Sequence, residues 1–129
     1  MITAVSHVTL FVEDQDKALA FYTNVLGFEL HTDAMFGPDM RWLTINAKGQ
    51  ENFEIALMKA TTPEEKALVG KQAHEHPFLC LATNDCHGDY ERLTKAGVTF
   101  IEAPQEQPWG IQAIFKDLYG TTFVLVQAK

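Results

Sequence analysis

The chain has few cysteines and little positive charge. Its two cysteines in 129 residues, Cys80 and Cys86, lack the C-x-x-C spacing of a zinc knuckle or a dithiol redox centre, which leaves free thiols in a reducing compartment as the expectation. Ten Lys and Arg stand against 17 Asp and Glu, a formal charge of −7. Such a surface repels phosphate, so nucleic acid and anionic membrane are not expected as partners, and a neutral or cationic ligand is favoured. No apolar stretch approaches the ~20 residues that cross a bilayer. The opening MITAVSHVTL carries no basic stretch and no small-residue cleavage site and enters a strand pattern at once, so the expected location is the cytoplasm. With 47% hydrophobic and 21% charged residues, what remains is the composition of an ordinary globule of one domain.

What the chain does have is an internal repeat. Ser6 to Asp14 (SHVTLFVED) and Pro77 to Asp85 (PFLCLATND) each read as a strand ending in Asp, followed by a helix pattern closed by Gly27 or Gly97. Each helix leads to a short apolar run, Phe28-Glu29-Leu30 or Val98-Thr99-Phe100, then a strand, a glycine turn at Gly49 or Gly120, and a last strand. A period near 70 residues is too long for a solenoid repeat, so the pattern predicts a duplicated βαβββ module inside one domain. Residues 1–58 form the first module, 59–75 a linker and 76–129 the second. In the linker, Thr62-Pro63-Glu64-Glu65 carries a capping box and a proline at the first helical position, which predicts a short helix ending near Gly70.

The fold class that follows is α+β, with two βαβββ modules forming a curved, cup-shaped mixed sheet and helices outside. Strand alternation sorts the side chains. Val8, Leu10, Leu43, Ile45, Phe53 and Ile55 face the first helix, and Leu79, Leu81, Ala113, Phe115, Phe123 and Leu125 face the second. The opposite set, with His7, Thr9, Phe11, Trp42, Thr44, Glu54 and Met58 in the first module and Phe78, Cys80, Gln112, Ile114 and Val124 in the second, faces the cup. The first half of the cup is polar, and the second is almost wholly apolar. Cys86 is read as a loop residue.

The segments SHVTLFVED, ALAFYTNVLGFEL and FKDLYGTTFVLVQ together resemble the vicinal oxygen chelate superfamily of glyoxalase I, bleomycin and fosfomycin resistance proteins and extradiol dioxygenases. The resemblance spans nearly the whole chain and implies the fold, but it leaves the reaction open, because the superfamily supports isomerisation, ring cleavage, epoxide opening and drug sequestration. Enzymes of the family place metal ligands on the first and last strand of each module. Carried over, these are His7 and Glu54 in the first module and Phe78 and Val124 in the second, and the last two supply no lone pair for a divalent metal. Extradiol dioxygenase and glyoxalase I chemistry are therefore disfavoured.

The leading expectation is a cytoplasmic homodimer that binds a small organic molecule without a complete metal site, as bleomycin resistance proteins do. The alternative is a metal-dependent lyase or isomerase of the glyoxalase type, with His7 and Glu54 as ligands and the site completed by His76, a partner chain or the substrate. His7 and Glu54 are the expected catalytic residues, since a carboxylate beside an imidazole orients it and raises its basicity. Phe11, Trp42, Thr44, Met58, Phe78, Trp109, Gln112 and Val124 are the expected ligand contacts. Trp109 lies in the polar stretch Gln105 to Gly110, read as a rim or lid, with Phe36 to Met40 as its counterpart.

Overall fold

In the computed structural model, which describes residues 1–129, the chain divides into two compact units, Met1–Ala67 and Leu68–Lys129. The division falls inside the segment expected to link the modules. Each unit holds one four-stranded mixed sheet and one helix from the repeat, so the α+β class and the βαβββ module are what the chain adopts.

Unit 1 runs β1 (His7–Val12), α1 (Gln15–Ala20), β2 (Glu29–Met35), β3 (Arg41–Asn46) and β4 (Glu54–Lys59), with the short α2 (Pro63–Leu68) following. Asp14 caps α1, its carboxylate accepting the Lys17 N–H at 2.9 Å and so satisfying one orphan donor of the first turn. The apolar spacing predicts one α-helix as far as Gly27, but the helix widens over Phe21–Val25, where the Leu26 N–H reaches Phe21 O, five residues back. Tyr22 in that wide turn is wholly buried, edge-on to both Phe21 and Phe28. Gly27, at φ +84°, then ends the helix as expected.

The sheet order is β1-β4-β3-β2, with β1 parallel to β4 and the other pairs antiparallel. Leu10, Leu43, Ile45, Ile55 and Leu57 are all at most 2% exposed and form the core with Ala18 and Tyr22. The capping box of α2 forms as read: the Glu65 N–H donates to Thr62 Oγ1 at 3.1 Å, while Glu65 Oε1 accepts from the Thr61 and Thr62 N–H groups.

Unit 2 repeats the plan with β5 (Leu79–Ala82), α3 (Cys86–Lys95), β6 (Thr99–Gln107), β7 (Gly110–Lys116) and β8 (Thr122–Ala128), in the order β5-β8-β7-β6. Asp85 caps α3 through the Gly88 N–H, and Asp117 holds the β7–β8 turn by accepting the Tyr119 and Thr121 N–H groups. Phe115 and Phe123 stack at the centre of the core, ring centroids 5.5 Å apart.

Two expectations for unit 2 are corrected. Cys86 is not in a loop: it opens α3, wholly buried, with its N–H donating to Gln127 Oε1. Residues 105–107 are not a loop, because β6 continues to Gln107 and pairs with Gly110 across the two-residue turn Pro108-Trp109. A polar run survives as strand there because β6 is the outer strand of its sheet, and the register shift between Glu102 and Gln105 accommodates Pro104.

Candidate functional site

Glu54 sits between Phe53 and Ile55 on β4, and three donors converge on it. The parallel register places His7 directly beside it, and His7 Nε2 donates to Glu54 Oε2 at 2.9 Å. On the other side, Thr44 Oγ1 donates to Glu54 Oε1 at 2.6 Å and His31 Nδ1 approaches the same oxygen at 2.9 Å. A carboxylate only accepts, so the proton of each imidazole lies on the nitrogen that faces it. His7 Nδ1 on the far side of the ring is hydrogen-bonded to Ser6 Oγ at 2.8 Å. The Glu54 side chain is only 12% exposed, a burial that a charge tolerates when its oxygens are this fully bonded.

The metal that the family's enzymes carry does not fit these residues. No three or more His, Cys, Asp and Glu side chains are arranged to hold an ion, and both Glu54 oxygens point at hydrogen-bond donors. In unit 2 the matching positions offer nothing in return. Phe78 lies edge-on to Phe123, and the register sets Val124 beside Cys80. His76 is exposed in the turns before β5, where its N–H donates to Ala73 O.

A groove of about 610 Å³ opens in unit 1 beside this cluster. Phe11 and Met58 line it from β1 and β4, Trp42 from β3, Met35 from the end of β2 and Met40 from the β2–β3 connection. Trp42 links groove and cluster, its ring centroid 5.7 Å from that of His7. Arg41 also lines the groove, but its charge is already answered: the guanidinium grips both oxygens of Asp33 at 2.9 Å and reaches Asp16 at 2.8 Å. That grip holds the Asp33 carboxyl below its ordinary value and raises Arg41 above its own.

Of the expected contacts, Phe11, Trp42 and Met58 line the groove together. Thr44 does not, being wholly buried with its hydroxyl committed to Glu54. His7 and Glu54 form the adjoining cluster rather than the groove wall. Within unit 2, Trp109 stands at the β6–β7 turn, 54% exposed, and donates from Nε1 to Gln112 Oε1, while Val124 is buried in β8. Sequence reasoning missed His31, Arg41 and Gln15. The first was lost by ending the β2 pattern at Leu30, although the alternation of half-buried Thr32 and Ala34 with exposed neighbours continues to Met35.

The Glyoxalase/Bleomycin resistance protein/Dioxygenase superfamily pattern matches residues 4–125. The chain belongs to this superfamily. A protein of Shewanella frigidimarina is 38% identical over 128 residues, 98% of this chain and 95% of its own length. Among solved structures, UcmS2 matches with a TM-score of 0.86 at 38% identity, covering 98% of each chain. TnmS3, an antibiotic-binding protein from Streptomyces sp. CB03234, matches with a TM-score of 0.82 at 33% identity, over 99% of this chain and 98% of its own. The superfamily accounts for the duplicated module, and no helix of the chain is long and apolar enough to cross a membrane.

Proposed function

We propose that this protein binds a small organic molecule in the groove of unit 1, without a resident metal. The groove lining carries the reading. Phe11 and Trp42 offer aromatic faces, and three of the chain's four methionines, Met35, Met40 and Met58, stand around them. Thioethers are soft and adaptable and make favourable contacts with rings, so this wall suits an irregular aromatic ligand. The volume falls within the usual range for ligand pockets, about 300–1,000 Å³. With Arg41 balanced by Asp33 and Asp16, and with Asp39 and Glu65 on the lining against the single ammonium of Lys59, the charge favours a neutral or cationic guest over an anion. The likeness to an antibiotic-binding protein supports the same reading.

Glu54 then serves as a brace. It holds His7, whose ring stands against Trp42, and so fixes one wall of the groove instead of contacting the ligand. A glyoxalase-type lyase is less well supported, because Phe78 and Val124 supply no lone pair and no three or more His, Cys, Asp and Glu side chains are arranged to hold an ion. The protein acts as a homodimer in this proposal. Met35, Phe36, Ile101 and Trp109 are each more than half exposed, and a partner would cover such surface; sedimentation at micromolar concentration as a dimer is the expected result, and as a monomer the contrary one.

Tryptophan fluorescence tests the ligand site. Titration of the metal-stripped protein with planar aromatic amines, glycopeptide drugs and small oxoacids should give saturable quenching by at least one aromatic compound, lost in Trp42→Phe. Quenching by none of them, or only after a divalent metal is added, would overturn the proposal.

A further inference from the structure

Gln15 opens α1, and its side-chain amide is fixed in one orientation. Nε2 donates to Leu57 O at 2.8 Å and to Arg41 O at 3.2 Å, two main-chain carbonyls on neighbouring strands. Both N–H groups are thus used. Turned over, the amide would set its oxygen against two carbonyl oxygens, so its direction is settled by hydrogen bonding. The Gln15 oxygen has no partner in the protein, and it is not sealed away, since Thr121 Oγ1 is the one buried side-chain polar atom left without a hydrogen bond. Gln15 lines the groove with Phe11 and Trp42. Two other polar groups of that lining are engaged, Arg41 by its two aspartates and the Thr61 hydroxyl by Glu65 Oε1.

We infer that Gln15 is a specificity-determining residue of the groove, its amide oxygen selecting organic ligands that present an N–H or O–H donor at the edge of an aromatic ring. The inference rests on the groove being the ligand site, as proposed above. A guest with a donor there replaces water on the oxygen, while a guest without one strips the water and returns nothing. The amide cannot turn to serve an acceptor, because doing so would break both bonds to the sheet.

The test compares 2-aminoanthracene with 2-(dimethylamino)anthracene, which share a ring system and differ in the donor. Affinities for both are measured by fluorescence with the wild-type protein and with Gln15→Met, so that the intrinsic difference between the probes cancels. The expected preference for the amine is about threefold to tenfold greater in the wild type than in the variant. Equal preference in two proteins that both bind overturns the role of Gln15 and leaves the groove reading standing, whereas wild-type protein that binds neither probe overturns both. Should Gln15→Met fail to fold, the wild-type protein gives the answer by NMR. The Gln15 side-chain amide signal shifts with the amine and not with its dimethyl analogue, and a signal unmoved by bound amine overturns the inference.

Discussion

His31 Nδ1 lies 2.9 Å from Glu54 Oε1 although their strands are not neighbours. Strand β3 runs between β2 and β4, and the imidazole reaches across it above Thr44, which donates to the same oxygen. The reach depends on an irregularity. The β2–β3 register shifts between Leu30 and Thr32, so His31 is the extra residue of a bulge, and a bulge re-aims the side chain it carries. Two imidazoles and a hydroxyl from three strands are thereby tied to one carboxylate.

Removing that carboxylate should loosen unit 1. Glu54→Ala strands the wholly buried Thr44 hydroxyl, and an unsatisfied buried group of this kind costs about 1–3 kcal/mol. Urea denaturation should show a lower midpoint for Glu54→Ala, and a smaller loss for Glu54→Ala in a Thr44→Val background, where no hydroxyl is left unbonded. Equal losses in the two backgrounds would show that the Thr44 bond contributes nothing.

Acid should weaken the chain at identifiable points. Asp14 is held below its ordinary value of 3.8 first by the Lys17 N–H, Glu65 below 4.5 by the Thr61 N–H, and Asp33 below 3.8 by Arg41. Because each folded value is depressed, the stabilisation is complete above the ordinary value and is lost as pH falls through the lower folded one. Denaturation midpoints should therefore hold steady from pH 7 to about pH 5 as far as these groups are concerned and decline below about pH 4. The triple variant Asp14→Asn, Asp33→Asn, Glu65→Gln should show a shallower decline; an identical slope would remove these carboxylates from the account.

The two thiols should differ sharply. Cys80 is exposed, whereas Cys86 is wholly buried, and burial, reinforced by the nearby Asp89 and Asp85, raises its thiol above the ordinary value. Since the thiolate is the reactive form, a thiol reagent at neutral pH should modify Cys80 quickly in native protein and Cys86 only on unfolding. Two fast equivalents without denaturant would contradict the burial of Cys86 at the start of α3.

The fold was legible because its signals were local and repeated. Asp14 and Asp85 as caps, Gly27 and Gly97 as stops and the Thr62 to Glu65 capping box each fix a helix end by their own chemistry, and alternation at Leu10, Leu43 and Ile55 marks the core face. The His7 and Glu54 pairing followed from the family resemblance, whose topology sets the first and last strands of a module side by side, as β1 and β4 are. The remainder of the site was not legible, for definite reasons. A bulge at His31 leaves no trace in a period-two pattern, and the two carbonyls that hold Gln15 are main-chain atoms carried by residues 26 and 42 positions away. Polarity alone made Gln105 to Gln107 look like a loop, when an outer strand tolerates it.

The most direct test of the central claim is methyl NMR of metal-stripped protein labelled at methionine. Met35, Met40 and Met58 line the groove and Met1 does not, so the chain carries three reporters and an internal control. Titration with an aromatic amine that quenches Trp42 should move the three groove methyls together, leave Met1 in place, and give the same affinity with chelator or with added zinc, nickel, manganese or iron. Shifts that spare the groove methyls, or that appear only when a metal is supplied, would contradict a metal-independent binding site in unit 1.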